Sequence, residues 1–268
     1  MSLPEGRGSA CFETSELCIG YGPALIVQEL DLSIPTGMFT ALIGPNGSGK
    51  STILRTLSGL HTPKRGTILL DGKSIASLPL REMAKRVGAL SQGPVAPEGL
   101  TVLDLVRQGR YPHRSLFSQW SEQDTGACEK ALSLTGMMNL RDQRVDQLSG
   151  GQRQRAWIAM TLAQETSIML LDEPTTFLDL SHQIEVMELA ANLVRNGDKT
   201  VVAVLHDLNQ AARYANHMVM LKEGKVIASG PPKEVMTAKV IQDVFDVSAK
   251  VLPDPVTGTP MCIPIPGT

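Results

Sequence analysis

Apolar residues change their spacing several times along this chain, and each spacing predicts a different element. Residues 30–34 alternate Leu30, Leu32 and Ile34 with polar Asp31 and Ser33, the period of a half-buried strand. Residues 67–73 carry an Asp-Gly pair after an apolar run, which predicts a hairpin. A short apolar run at 39–44 leads into a glycine-rich loop, and residues 51–60 behind it read as helix. From about Pro94 to Ala159 the pattern turns helical. Thr101 with Asp104 and Ser121 with Asp124 are start signals of the Ser/Thr-x-x-acid kind, and Gly136 stands where the second helix should stop.

Two continuous apolar runs follow, at 167–171 and 200–205, as expected of strands covered on both faces of a parallel sheet. Between them, 182–197 predicts an amphipathic helix with Ile184, Met187 and Leu193 inward and Gly197 at its end. Residues 218–230 predict a closing hairpin. The tail, 231–268, predicts one helical segment and then an extended, turn-rich stretch broken by prolines and glycines.

Composition narrows the class. At 268 residues and 28.8 kDa the chain can bury a large core, as one domain or a domain plus a subdomain. Lys+Arg 25 against Asp+Glu 27 gives −2, so the charge balance does not suggest a nucleic-acid partner. Cys11, Cys18, Cys128 and Cys262 form no C-x-x-C pair and read as small buried thiols of a reducing cytosol. The first residues lack the basic start and apolar run of a signal peptide. No stretch approaches the ~20 apolar residues of a membrane span, so a membrane role is expected to run through a partner.

The chemistry lies in two glycine-rich cradles. Gly44, Pro45, Asn46, Gly47, Ser48, Gly49, Lys50, Ser51 and Thr52 contain G-x-x-x-x-G-K-[ST] between a strand and a helix. Glycines let such a loop turn its N–H groups inward at a helix N-terminus, where the dipole favours phosphate. Lys50 is expected on the β- and γ-phosphates of a nucleotide, and Ser51 on Mg²⁺. Asp172, at the end of the run 167–171, is the expected carboxylate for Mg²⁺. Glu173 has no structural reason to be acidic at a strand end, and is expected to polarise the water that attacks the γ-phosphate. The second cradle is Leu148-Ser149-Gly150-Gly151-Gln152, which opens a helix about a hundred residues downstream.

Together these motifs resemble the ATP-binding-cassette family, in which the second cradle is the signature motif. The family's other marks stand in order: aromatic Tyr21, the phosphate loop, Gln92, the signature, "LLDEP" (170–174), Leu178-Asp179 and His206. The resemblance implies an α/β fold. It would have a phosphate-loop NTPase core with a mixed sheet and helices on both faces (1–92 and 160–230). An N-terminal antiparallel β subdomain, an inserted helical subdomain (93–159) and a C-terminal extension (231–268) would complete it.

The resemblance also assigns roles. Tyr21 would stack on adenine. Gln92 would approach the Mg²⁺ and the attacking water, and would report nucleotide state to the helical subdomain. Asp179 would join two active sites across a dimer, and His206 would contact the γ-phosphate. ATP would lie between two copies arranged head to tail, with Ser149, Gly150, Gly151 and Gln152 of one copy facing the ATP of the other. His61, His113, His182 and His217 share no ligand spacing, so no protein metal site is expected beyond the Mg²⁺ of the nucleotide.

Within the family, Gly109-Arg110-Tyr111-Pro112-His113 and the tail resemble ATPases of ferric-siderophore, haem and vitamin B12 importers, with the ferric-enterobactin type most similar. This implies permease subunits docking near 92–117, a periplasmic or lipoprotein substrate-binding protein acting indirectly, and a peripheral place on the cytoplasmic face of the inner membrane. Haem or vitamin B12 import is the alternative, and a soluble cassette ATPase a more distant one. Replacing Ser149 with Arg is expected to abolish ATP hydrolysis while single-subunit ATP binding, read by titration with a fluorescent analogue, stays intact. Parallel loss of both would remove the trans role.

Overall fold

The computed structural model describes residues 10–114, 119–197 and 199–266; the extreme N-terminus of the leader reading, residues 115–117 of the docking reading and residues 267–268 of the tail lie outside them. Two long strands open the fold, β1 (Ala10–Tyr21) and β2 (Ala24–Pro35), followed by β3 (Phe39–Ile43), α1 (Lys50–Leu57), β4 (Arg65–Leu70) and β5 (Lys73–Ser74). Strands β2, β1, β4 and β5 form an antiparallel sheet. Asp71 and Gly72 join β4 to β5 with φ of 49° and 74°, the left-handed pair that a tight two-residue hairpin requires, so the Asp-Gly signal holds.

Next come α2 (Leu80–Arg86), β6 (Val87–Leu90), α3 (Val102–Gln108), α4 (Glu122–Leu134) and α5 (Gly150–Ala163). Both predicted capping boxes form: the Thr101 hydroxyl accepts from the Asp104 N–H, and Ser121 from that of Asp124. Gly136 follows α4 with φ 65°, the left-handed stop. Helix α5 runs past residue 159 and packs on β6, so the helical layer and the sheet share one helix.

The rest is β7 (Ile168–Asp172), α6 (Leu180–Gly197), β8 (Thr200–Val204), α7 (Leu208–Tyr214), β9 (His217–Lys222) and β10 (Lys225–Gly230), then α8 (Pro232–Val235), α9 (Ala238–Phe245), β11 (Ala249–Pro253) and β12 (Pro260–Pro264). The central sheet has the order β10-β9-β3-β8-β7-β6; its strands are parallel except for the β9–β10 hairpin. Its two faces feed two cores. Phe39, Ala41, Ile43, Val201 and Ala203 face α3 to α7, whereas Leu42, Val202 and Val204 face α1 and the antiparallel sheet. Covering on both sides is why these strands read as unbroken apolar runs.

Two expectations need correction. Ile184 is 42% exposed, and the buried residues of α6 are Val186, Met187, Ala190, Ala191 and Leu193. The helix starts at Leu180 and its first turns stand proud of the core, so the right periodic face is bare there. The tail holds two helices, α8 and α9, and its extended part is an antiparallel hairpin of β11 and β12, with Val251 opposite Cys262. This hairpin grips α7: Asn209 exchanges two hydrogen bonds with the Cys262 backbone (2.7 and 3.2 Å), and Arg213 reaches Asp254 at 2.6 Å.

All four cysteines are free and buried. Burial pushes the Cys11 thiol up to about 12 and that of Cys128 to about 11. Among the described residues no helix is long and apolar enough to cross a membrane.

Arg110, 1% exposed, pins the helical layer. It donates to Asp124 at the start of α4 (2.9 Å), and to the Ala163 carbonyl and Glu165 at the end of α5 (2.7 and 2.8 Å). Burial pushes the Asp124 carboxyl up, but hydrogen bonds from Ser121 and Arg110 outweigh it and hold the group at about 2. Arg110→Ala is expected to cost about 3–5 kcal/mol by urea unfolding, because it leaves a buried carboxylate unpaired. In the wild type this carboxylate's contribution is complete above pH ~4 and fades as pH falls toward 2, since its folded value lies below its unfolded one.

Candidate nucleotide site

Parallel strands release their chains at one edge. In the order β3-β8-β7-β6 the loops leaving that edge carry Gly44–Lys50, His206, Asp172–Glu173 and Gln92. Four segments far apart in sequence thus converge there.

The loop after β3 turns tightly into α1. Gly49 takes φ 93° at the helix N-cap, and the first turn of α1 offers N–H groups with no intrahelical partner. A Cβ on Gly44 would lie 2.1 Å from the Leu221 carbonyl oxygen, so only glycine lets the loop pass β9. Lys50 is buried and its ammonium donates to the Gly44 and Pro45 carbonyls, both at 2.8 Å. Burial lowers its pKa, with the charges of Glu173 and Asp172 pulling the other way. An open cleft of about 370 Å³ lies over this loop, lined by Asn46, Gly47, Gly49–Thr52, Glu173 and Ile26. Ile26 carried no signal in the sequence beyond its apolar character.

Asp172 ends β7 almost wholly buried. Its Oδ1 accepts from the Ser51 hydroxyl at 2.7 Å; its Oδ2 is buried without a hydrogen-bond partner, with Arg55 Nε 3.9 Å away. Burial raises its pKa, against the Ser51 hydrogen bond and the Arg55 charge. A buried carboxylate oxygen without a donor, beside a hydroxyl, fits the oxygen-only donor set of a hard divalent cation.

Glu173 follows with φ 53°, a left-handed conformation that turns its carboxylate into the site. Gln92 Nε2 donates to its Oε2 at 2.5 Å, as does the Thr176 hydroxyl at 3.0 Å, and His206 Nε2 stands 2.8 Å from its Oε1. Thr176 was not foreseen; its spacing three residues after the acid, across a tight turn, is the only hint. The site thus has a phosphate cradle on one side and a carboxylate held by three side chains on the other.

Other expected residues lie apart. Tyr21 ends β1, 47% exposed, with its ring centroid 4.6 Å from that of His61, and it does not line the phosphate cleft. Ser149 is the N-cap of α5 in a capping box with Gln152, at 3.3 and 3.0 Å. Ser149 and Gly150 are exposed, and no residue of 148–152 lines the cleft. Asp179 caps α6 by accepting from Ser181 and from the His182 N–H and imidazole. The His182 backbone bond, then its ring and Ser181, lower the Asp179 pKa.

Most of the 109–113 stretch works as scaffold. Arg110 is internal, and His113 Nε2 sits 2.7 Å from the Gln164 carbonyl. Tyr111 (66%) and His113 are the exposed members, and Tyr111 lies in a cleft of about 690 Å³ with Asp104, Arg107, Arg114 and Trp120; the guanidinium carbons of Arg107 and Arg114 each lie 5.2 Å from the Trp120 ring centroid.

A phosphate loop between strand and helix, with two acids at the end of another parallel strand of the same sheet, defines a nucleotide-hydrolysing enzyme of the phosphate-loop class. The ABC transporter family model matches residues 27–176. The chain is 54% identical over 257 residues to the probable siderophore transport system ATP-binding protein YusV of Bacillus subtilis, covering 96% of this chain and 94% of that protein. It is 53% identical over 250 residues to the ferric enterobactin transport ATP-binding protein FepC of Escherichia coli, covering 93% and 92%. A solved dimeric ATP-binding cassette, MJ0796, bound to ADP and Pi in a post-hydrolysis state, superposes with TM-score 0.72 and 28% identity, over 82% of this chain and 98% of that one. The chain belongs to the ABC transporter family, as one of its ATPases.

Gly44→Ala is expected to weaken binding of a fluorescent ATP analogue at least about tenfold. It should also lower stability by roughly 1–3 kcal/mol, because the loop must move off the Leu221 carbonyl.

Proposed function

We propose that this chain is the ATP-hydrolysing subunit of a ferric-siderophore importer, acting as a head-to-tail dimer of two copies on Mg²⁺-ATP. The observation that carries the catalytic part is Glu173, a strand-end carboxylate gripped by Gln92, Thr176 and His206 beside the Lys50 cradle. In this reading the first turn of α1 and Lys50 bind and orient the phosphates. Glu173 accepts a proton from the attacking water, and Gln92 and His206 fix the direction in which its carboxylate points. Ser51 and Asp172 hold Mg²⁺, which offsets charge on the phosphates.

The dimer is supported by the position of the second cradle, whose Ser149 and Gly150 are exposed and which does not line the chain's own phosphate cleft. A helix N-terminus carrying Ser149, Gly150 and Gly151 suits phosphate brought by another copy, and a cassette of the same fold has been solved as a dimer with ADP and Pi. ATP that binds the closed pair better than the open one drives closure, and hydrolysis reverses it.

The siderophore rests on the relatives' cargo. Transport places the chain on the cytoplasmic face of the inner membrane, bound to permease subunits and served indirectly by a periplasmic or lipoprotein binding protein. The Tyr111–Trp120 cleft is the surface offered to the permease.

Glu173→Gln tests this reading. It should keep ATP binding, lower kcat by about 10²-fold or more, trap an ATP-dependent dimer in size-exclusion chromatography, and fail to restore ferric-siderophore uptake in a deletion strain. Near-wild-type turnover would remove the catalytic assignment, and restored uptake without turnover would remove the transport one.

A further inference from the structure

Leu178-Asp179, the D-loop, and the start of α6 touch both the signature and α7, the switch helix that follows His206, although none of their contacts reaches the phosphate cleft. His182 stands at the centre. Its Nδ1 lies 2.6 Å from Asp179 Oδ1, with its own N–H on the same oxygen at 3.0 Å. The other edge of the ring lies against the signature: a Cβ on Gly151 would meet His182 Cδ2 at 2.1 Å and Cγ at 2.4 Å. Beside it a Cβ on Gly150 would come within 3.7 Å of Leu178 Cδ2, and one turn further along α5 Arg155 pairs with Glu185 of α6 at 3.3 Å. Gln183 holds the opposite side, donating to the Leu178 carbonyl (2.9 Å) and accepting from Gln210 of α7 (2.7 Å). Helix α7 is capped by Asp207, the residue after His206.

We propose that His182 and Gln183 are positioning residues for hydrolysis. His182 is a wedge that sets the signature glycines against the D-loop, and Gln183 ties that unit to the switch helix behind His206. The inference rests on the reading that residues 148–152 and 179 face the ATP of a second copy, and it deepens that reading. The physical reason is a steric one. Gly151 leaves no space between the α5 backbone and the imidazole, so the ring fixes how far the helix start stands from Asp179. The Asp179 bond fixes the ring in turn. An error of about 1 Å in such an alignment is enough to lower turnover by up to ~10²-fold without touching the nucleotide bound by the chain's own phosphate loop.

Full-length variants test this by steady-state ATPase assays, unfolding midpoint, single-subunit nucleotide affinity and ATP-dependent dimerisation. His182→Ala should lower kcat roughly tenfold or more, with single-subunit affinity within about twofold of wild type. His182→Asn keeps a donor for Asp179 on a smaller side chain and should recover most of that loss. Gly151→Ala should be nearly inactive, and adding His182→Asn should recover at least about tenfold, because the space the ring occupied takes the new methyl. Wild-type kcat in His182→Ala, or no recovery in the Gly151→Ala/His182→Asn pair, overturns the proposal. Should His182→Ala fold poorly, the Gly151 pair decides alone. In the Glu173→Gln background, His182→Ala should weaken the ATP-dependent dimer about tenfold. An unchanged dimer overturns the positioning role alone. Absence of the dimer in Glu173→Gln itself overturns the head-to-tail reading, and this inference with it.

Discussion

Parallel pairing of β3, β8, β7 and β6 is the constraint on which the site depends. Parallel neighbours end at the same edge, so the phosphate loop, the switch histidine, the two acids and the glutamine are brought together by register rather than by proximity in the chain. Register in turn is fixed because these strands bury side chains on both faces: Leu170 and Val202 enter one core, and Leu171 and Ala203 the other. A one-residue slip would exchange every pair between cores of different shape, and would move Asp172 away from Ser51.

On this rigid edge the protein places groups that are costly to hold there. Lys50 is buried with its charge, and Asp172 leaves one oxygen without a donor. Glu173 takes a left-handed backbone conformation, one that is uncommon for residues other than glycine. The strands supply the packing that holds these groups beside the phosphate loop. The helical layer obeys the opposite rule. Its buried charge, Arg110, is matched by Asp124 and Glu165, and its helix starts are closed by capping boxes. Gly109 and Arg110 therefore lie within the scaffold and His113 is tied to it at the Gln164 carbonyl, which leaves Tyr111 as the member of the group that lines the open cleft.

The signature stands between these two regimes. Its capping box is an ordinary local device, yet it opens a helix whose first glycines are held against Leu178 and His182 rather than over the chain's own nucleotide cleft. Asp179 shows the same double character: it caps α6 and also sits at the exposed end of the element that supports the signature. A helix start can therefore be capped within its own chain and still leave Ser149 and Gly150 exposed to solvent.

Local chemistry was legible in the sequence. Thr101, Ser121 and Gly136 mark helix ends through hydrogen bonds and backbone angles that span only a few residues, and the Asp71-Gly72 turn follows the same logic. The phosphate loop and the acids were legible because their spacing is itself the chemistry. Periodicity named the right face of α6 but not where the core ends, so Ile184 was misjudged. The β11–β12 hairpin was hidden because Pro253 pairs opposite Pro260, residues that usually argue against a ladder. Only the tertiary structure decided that Thr176 and His206 hold Glu173, that Arg110 is a buried tie, and that His182 fills the space at Gly151. Those contacts depend on the order of strands and the crossing of helices, which join residues far apart in the chain, and no spacing along one sequence encodes them.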